Sequence, residues 1–456
     1  MNNRIGGKAK FGFGIGAVGK DVVYMLISSY LLYYYNSVLG MSSVFIGTVM
    51  MAARVFDALN DPIMGIIVAK TKTRWGRFRP WILAGTVLNA VTIYALYAAP
   101  TSNQKIWLTV FYLLWGVTYT LMDIPFWSMI PAITVPGKDR ESLSSIARSC
   151  AGVGAAIPTV LTMIVVPVLS GSEVIADYKI GFRWWALIIA IFFIISEFVC
   201  VSCVKENVNS YENASAPSIG QMFKSLIKND QALVVVVSII FVYTALNIIG
   251  NLILYFFQYD VGNTDAYSGF VAVCFITQVV IMAVFPVFRK FASKNKLYII
   301  GFLVQILGFL TLLAMAVSGL YGSNWIWLCI PGMLVYAGYG MLNVLLTIFL
   351  SDSVDYGQWK NGTRDESVIF SMQTFTVKLS AGLAVFLAGL IIDWIDLNTK
   401  AEVQAESTLN GLRMWITIPS IVLLIGGIIV FKIFYKLNDE KLSKITDELK
   451  KEVRYD

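Results

Sequence analysis

The densest chemistry in the chain lies between residues 54 and 61, inside a long apolar run. Arg54, Asp57, Asn60 and Asp61 fall at i, i+3, i+6 and i+7, which puts them on one helical stripe about two turns long. Two carboxylates a turn apart repel in a low dielectric, so either one holds a proton or a cation sits between them. Asn60 adds a neutral amide oxygen, and hard monovalent cations prefer oxygen ligands. The competing reading is a charge cluster that only fastens helices together, with Arg54 as counter-ion. Two acids against one base on the stripe make a poor neutral cement.

A second group occupies the apolar run around residue 120. Tyr119, Asp123 and Trp127 stand at i, i+4 and i+8, Thr120 lies close to the same face, and Pro125 frees a backbone carbonyl nearby. Aspartate accepts hydrogen bonds from hydroxyls, and an aromatic face covers the apolar side of a pyranose, so an acid beside an indole suits a sugar. Lys20 and Asp21 are adjacent and point about 100° apart, so one can face a cavity while the other reaches a neighbouring helix. Arg148 and Lys378 are cations in apolar surroundings, and Thr374 lies one turn before Lys378. Charge balance for the acids is the simpler role for both cations.

What must position these residues is a membrane protein. Of 456 residues, 57% are hydrophobic and 14% charged, with a mean hydropathy of +0.71, far from soluble-domain usage. The apolar residues come in blocks long enough to cross the bilayer as helices, which excludes a β-barrel. Twelve spans are expected at 11–39, 43–69, 80–100, 105–134, 143–170, 180–204, 231–257, 266–290, 297–320, 325–351, 367–397 and 412–436. Within them the ionisable residues singled out are Lys20, Asp21, Arg54, Asp57, Asp61, Asp123, Arg148 and Lys378. Each costs about 2.5–3.5 kcal/mol at a helix centre. They must face one another or water.

Lys and Arg are concentrated in alternate loops, and the opposite set holds only Lys105, Lys179, Arg183 and Lys400. This positive-inside asymmetry puts both termini in the cytoplasm. It accounts for the formal net charge of +7 without a nucleic-acid partner. The basic start reads as an uncleaved first helix, since no small-residue cleavage site follows. The polar stretch 205–230 separates a six-helix bundle over 1–204 from a second over 231–436, and 437–456 form a cytoplasmic tail. Gly137-Lys138-Asp139-Arg140-Glu141-Ser142 and Gly362-Thr363-Arg364-Asp365-Glu366-Ser367 echo each other after the fourth and tenth spans, as two related halves would. Arg74, Arg77 and Arg79 on the first basic loop and Asp352 and Asp355 at the inner end of the tenth span suggest a gate. Positive-inside topology explains the basic loop equally well.

The chain has no histidine, which removes the commonest proton relay and the usual base of a hydrolase triad. Cys150, Cys200, Cys203, Cys274 and Cys329 all fall in apolar spans, so a disulfide framework is not expected, and Cys200 and Cys203 read as small packing residues despite their CxxC spacing. No metal beyond a coupling cation and no enzymatic activity is expected. The sequons at Asn213 and Asn361 fall in expected cytoplasmic loops and carry little weight.

At these residues the chain resembles the glycoside-pentoside-hexuronide cation symporters of the major facilitator superfamily. The match runs through Gly19-Lys20-Asp21, Asp57-Ala58-Leu59-Asn60-Asp61-Pro62, Arg74-Trp75-Gly76-Arg77-Phe78-Arg79-Pro80-Trp81, Tyr119-Thr120 with Asp123-Ile124-Pro125-Phe126-Trp127, and Asp355-Tyr356-Gly357. The resemblance implies two bundles of six transmembrane helices. It implies binding of Na+, or alternatively Li+ or H+, by Asp57, Asn60, Asp61 and Thr120. It implies sugar binding by Lys20, Asp21, Tyr119, Asp123, Trp127 and Arg148, with Thr374 and Lys378 from the second half. It further implies import of an α-galactoside or related di- or oligosaccharide by a monomer in the cytoplasmic membrane. Asn343 departs from the tryptophan that the melibiose permeases of this family place in the sugar pocket, and Ala69 departs from the usual aspartate before the basic loop. A sodium-coupled carrier of lysolipids is the nearest alternative and predicts a greasier pocket.

Overall fold

The structure is a computed structural model, and it describes residues 5–206, 224, 227–322, 324–362, 364–397 and 403–455. The expected boundary loop 205–230 lies mostly outside the described residues, as do Asn213 and Lys400. Where the sequence is apolar over twenty residues or more, the backbone satisfies its polar groups internally as helix. In chain order these are α1 (Gly7–Tyr33), α2 (Ser43–Lys70), α3 (Arg79–Tyr97), α4 (Gln104–Ile133), α5 (Lys138–Ser170) and α6 (Tyr178–Cys203). They continue as α7 (Asp230–Tyr255), α8 (Thr264–Phe288), α9 (Lys294–Ser318), α10 (Cys329–Asn361), α11 (Glu366–Trp394), α12 (Glu406–Phe434) and the tail helix α13 (Asp439–Tyr455).

Among the described residues, eleven helices are long and apolar enough to cross a membrane. α2 is a further long helix, 28 residues that carry Arg54, Asp57 and Asp61 among apolar neighbours. Two expected boundaries move. α10 runs on to Asn361, so Asp352 and Asp355 lie within a helix rather than beside a loop. α5 begins at Lys138, so the first copy of the repeated hexapeptide forms a helical first turn.

The helices form two compact units, residues 1–226 with 361–375, and residues 227–360 with 376–456. Both halves of the chain repeat one packing plan. In the first, α1 and α3 pack on α6; in the second, α7 and α9 pack on α12. α1 and α7 each end in a five-residue π turn, Tyr34–Val38 and Phe256–Asp260, and each turn is followed by a glycine with positive φ, Gly40 at 72° and Gly262 at 69°. These shared irregularities extend the hexapeptide echo into the backbone.

The cytoplasm-facing elements expected from the charge pattern are tied down locally. Glu206, just past α6, accepts from the backbone N–H groups of Arg77 at 2.7 Å, Phe78 at 3.1 Å and Arg79 at 2.9 Å. It thereby caps the otherwise unsatisfied start of α3. Burial pushes the Glu206 carboxyl above its usual range, while the three N–H donors act in the opposite direction. In the second unit, α13 is fastened by Arg289 to Asp439 at 2.6 Å and by the Trp359 indole to Glu448 at 2.6 Å.

Candidate functional site: buried charges on one helix

The site is organised by α4, one face of which meets the charged stripe of α2 while another carries Tyr119, Asp123 and Trp127. Toward α2 it presents Gly116 and Thr120, a turn apart. Asp57 is buried with its carboxylate lying directly over Gly116, where a Cβ would occupy the position of Oδ1. Thr120 donates its hydroxyl to Asp61 Oδ1 at 3.1 Å, and Asp61 is wholly buried. The two carboxylates therefore sit one turn apart on α2 against a glycine and a threonine. Asn60 is half-buried on the same stripe. Arg54 directs Nη1 to the Tyr24 hydroxyl at 3.3 Å, with its guanidinium over the Tyr24 ring.

Toward α1 the same helix presents Tyr119, Asp123 and Trp127. Lys20, 2% exposed, ion-pairs with Asp21 and Asp123, both at 2.9 Å. Trp127 donates its indole N–H to the same Asp123 oxygen at 3.1 Å. The Lys20 ammonium stands 4.8 Å from the Trp127 ring centroid, and the Arg148 guanidinium lies 3.8 Å from it. Tyr119 joins through Lys20, whose ammonium lies 6.0 Å from its ring centroid. The six residues Lys20, Asp21, Tyr119, Asp123, Trp127 and Arg148 form one cluster of two cations, two anions and two aromatics. Arg148 covers one face of Trp127 in this arrangement, so a sugar ring stacked there must use the other face or displace the guanidinium.

Thr374 and Lys378 both lie on α11. Thr374 turns its hydroxyl to the carbonyl of Ser371 in its own helix, 2.9 Å away. Lys378 falls in the other compact unit. Of the residues expected to gate, Arg77 lies 3.6 Å from Glu366, both within the first unit and both buried. Arg79 donates to the Val201 carbonyl at 3.1 Å, and Arg74 is exposed. Asp352 ion-pairs with Lys294 at 2.6 Å, and Asp355 is buried. Asn343 donates its amide to the hydroxyls of Tyr339 at 2.9 Å and Tyr243 at 3.1 Å, a neutral polar knot at the position where Asn343 departs from the family's tryptophan.

Sequence reasoning passed over further ionisable residues inside the spans, among them Glu197 of α6 and Arg413 of α12. It also missed Tyr24. Glu197 is a lone acid in one of the most apolar helices of the chain; counting every ionisable residue in each span would have found it. Tyr24 gives no signal of its own, because its role as partner of Arg54 depends on how α1 and α2 meet.

Chemically, the α2–α4 contact offers anionic, amide and hydroxyl oxygens, a suitable donor set for a small monovalent cation. The α1–α4–α5 cluster offers paired donors and acceptors with aromatic surface, a suitable set for a polyhydroxylated ligand. Residues 12–439 match the model of the MFS/sugar transport protein family. The chain belongs to this family, as one of the glycoside-pentoside-hexuronide symporters of the major facilitator superfamily, and is a transporter rather than an enzyme. It is 26% identical to the isoprimeverose transporter of Lactiplantibacillus pentosus, covering 98% of this chain and 92% of that one. It is 29% identical to the raffinose carrier protein of Pediococcus pentosaceus, covering 98% and 72%. Its fold is similar to that of FucP in the outward conformation, with a TM-score of 0.66 at 12% identity over 92% of this chain and 97% of that one. The proton:xylose symporter XylE gives a TM-score of 0.67 at 13% identity over 96% and 98%.

Proposed function

We propose that the protein imports a glycoside, a melibiose-like α-galactoside or a related di- or oligosaccharide, by symport with a monovalent cation through alternating access. It works as a monomer in the cytoplasmic membrane with both termini inside. The relatives named for isoprimeverose and raffinose transport support a glycosidic substrate. Asp57, Asn60, Asp61 and Thr120 take the cation, Na+ in the first instance and Li+ or H+ as alternatives. Lys20, Asp21, Tyr119, Asp123, Trp127 and Arg148 take the sugar, and Thr374 and Lys378 complete its site.

The observation that carries this reading is that Thr120, hydrogen-bonded to Asp61, and the neighbours Tyr119 and Asp123 belong to consecutive turns of α4. A cation that relieves the repulsion of Asp57 and Asp61 fixes α4 through Thr120. That orders the face bearing Asp123 and Trp127 for the sugar. Sugar binding must strengthen cation binding by the same factor, because the coupling free energy is reciprocal. Each positive charge carried inward is driven by about 2.3 kcal/mol per 100 mV. Uptake of labelled melibiose into vesicles tests this: an imposed inward Na+ gradient accelerates and concentrates uptake. Equal uptake with and without every cation gradient contradicts it.

A further inference from the structure

Glu197 stands in the C-terminal part of α6, fully buried, and neither of its carboxyl oxygens has a hydrogen-bond partner among the described residues. It faces the glycine side of α1. A Cβ on Gly16 would stand 3.1 Å from Glu197 Oε2, and Gly16 is one turn before Lys20. The charges that bear on Glu197 are Lys20 and Asp21 of α1 and Asp123 of α4. Tyr119 of α4 and Cys200, one turn on in α6, complete the titratable groups that interact with it. Of the other helices packed on α6, α5 contributes Arg148, held over Trp127, and α3 contributes Arg79, held at the Val201 carbonyl.

Lys20 is already shared between two carboxylates, each at 2.9 Å. An ionised Glu197 in the same buried seam would be a third anion with no donor of its own among the described residues, an arrangement that low-dielectric surroundings do not tolerate. A protonated Glu197 removes the excess charge. We propose that Glu197 is a proton-binding site of the carrier, distinct from the carboxylates of α2, and that its proton holds Lys20 on Asp21 and Asp123. When the Glu197 O–H bond breaks and the proton passes to water, the new carboxylate draws the Lys20 ammonium toward α6. The Asp123 cluster then loses its donor. Resting on the glycoside reading above, substrate affinity falls as pH rises through this titration, independently of the cation.

Infrared difference spectroscopy on the full chain in liposomes, titrated with pH, tests the site directly. The expected result is a carboxylic-acid carbonyl band that bleaches as pH rises, persists in Asp61→Asn and is absent in Glu197→Gln. Glu197→Asp, which keeps a carboxyl at shorter reach, moves the band and its midpoint. A Glu197→Gln spectrum superimposable on wild type at every pH overturns the proposal. If the glutamine variant fails to fold, an aspartate variant with an unshifted band overturns it equally. In parallel, melibiose binding at saturating Na+ weakens about fivefold or more across the wild-type titration and is flat in Glu197→Gln. A pH-dependent loss of affinity that survives in Glu197→Gln refutes the link to Lys20. Absence of melibiose binding at every pH instead counts against the glycoside reading, and the infrared result still decides the proton site.

Discussion

The two halves of the chain pack their first and third helices on the sixth in the same way, yet their interiors differ in kind. The first buries Lys20, Asp57, Asp61, Asp123 and Glu197. At mid-helix depth the second buries neutral groups instead, Gln278, Gln305, Asn343, Thr347 and Ser420. Among its described ion pairs, Asp260 in the π turn after α7 meets Arg413, and Asp352, within α10, meets Lys294 at the start of α9. Since one backbone plan supports both, the fold does not dictate the charges. The cost of burying them on the first half marks them as candidates for ligand chemistry.

That contrast can be broken by substitution. Asp123→Asn should have the largest effect, because it leaves Lys20 with half its counter-charge and removes the anion that Trp127 donates to. Breaking a buried pair by removing one partner costs about 3–5 kcal/mol, so sugar affinity measured by equilibrium binding should fall by more than about a hundredfold. Gly116→Ala comes next. Its new methyl group collides with the Asp57 carboxylate, so the cation concentration that half-saturates uptake should rise about tenfold, in keeping with the 1–3 kcal/mol expected of overpacking. In the second half, Asn343→Ala removes neutral hydrogen bonds to Tyr243 and Tyr339. A net loss of about 1 kcal/mol or less predicts a several-fold weaker sugar affinity and an unchanged cation requirement. If Asn343→Ala proves as damaging as Asp123→Asn, the asymmetry between the halves is misread.

Much of this was legible in the sequence because the relevant periodicities are short. The stripe of Arg54, Asp57, Asn60 and Asp61 and the steps Tyr119, Asp123 and Trp127 are set by the helical repeat alone. In the structure Asp57 and Asp61 both meet α4, and Lys20 lies near Tyr119, Asp123 and Trp127. The contacts between helices were not legible. That Asp57 rests on Gly116, and that Arg77 meets Glu366 almost three hundred residues later, depends on interhelical approach, which spacing within one helix does not encode. Glu206 was hidden for a related reason, since its partners are backbone N–H groups and have no residue signature. The length of α10 was misjudged because Asp352, Asp355 and Lys360 look like loop composition. In the structure Asp352 is paired with Lys294 and Lys360 with Asp230, so the helix continues through them.

The central claim is that the paired carboxylates of α2 couple the cation to the sugar through α4. Asp61→Asn keeps the size of the side chain and the acceptor for Thr120 while removing one negative charge. Transport by this variant in vesicles, measured with and without an inward Na+ gradient, tests the claim most directly. The account predicts that Asp61→Asn still equilibrates melibiose across the membrane, exchanging inside for outside sugar, but no longer accumulates it when the gradient is applied. Accumulation equal to that of the unaltered chain would contradict it.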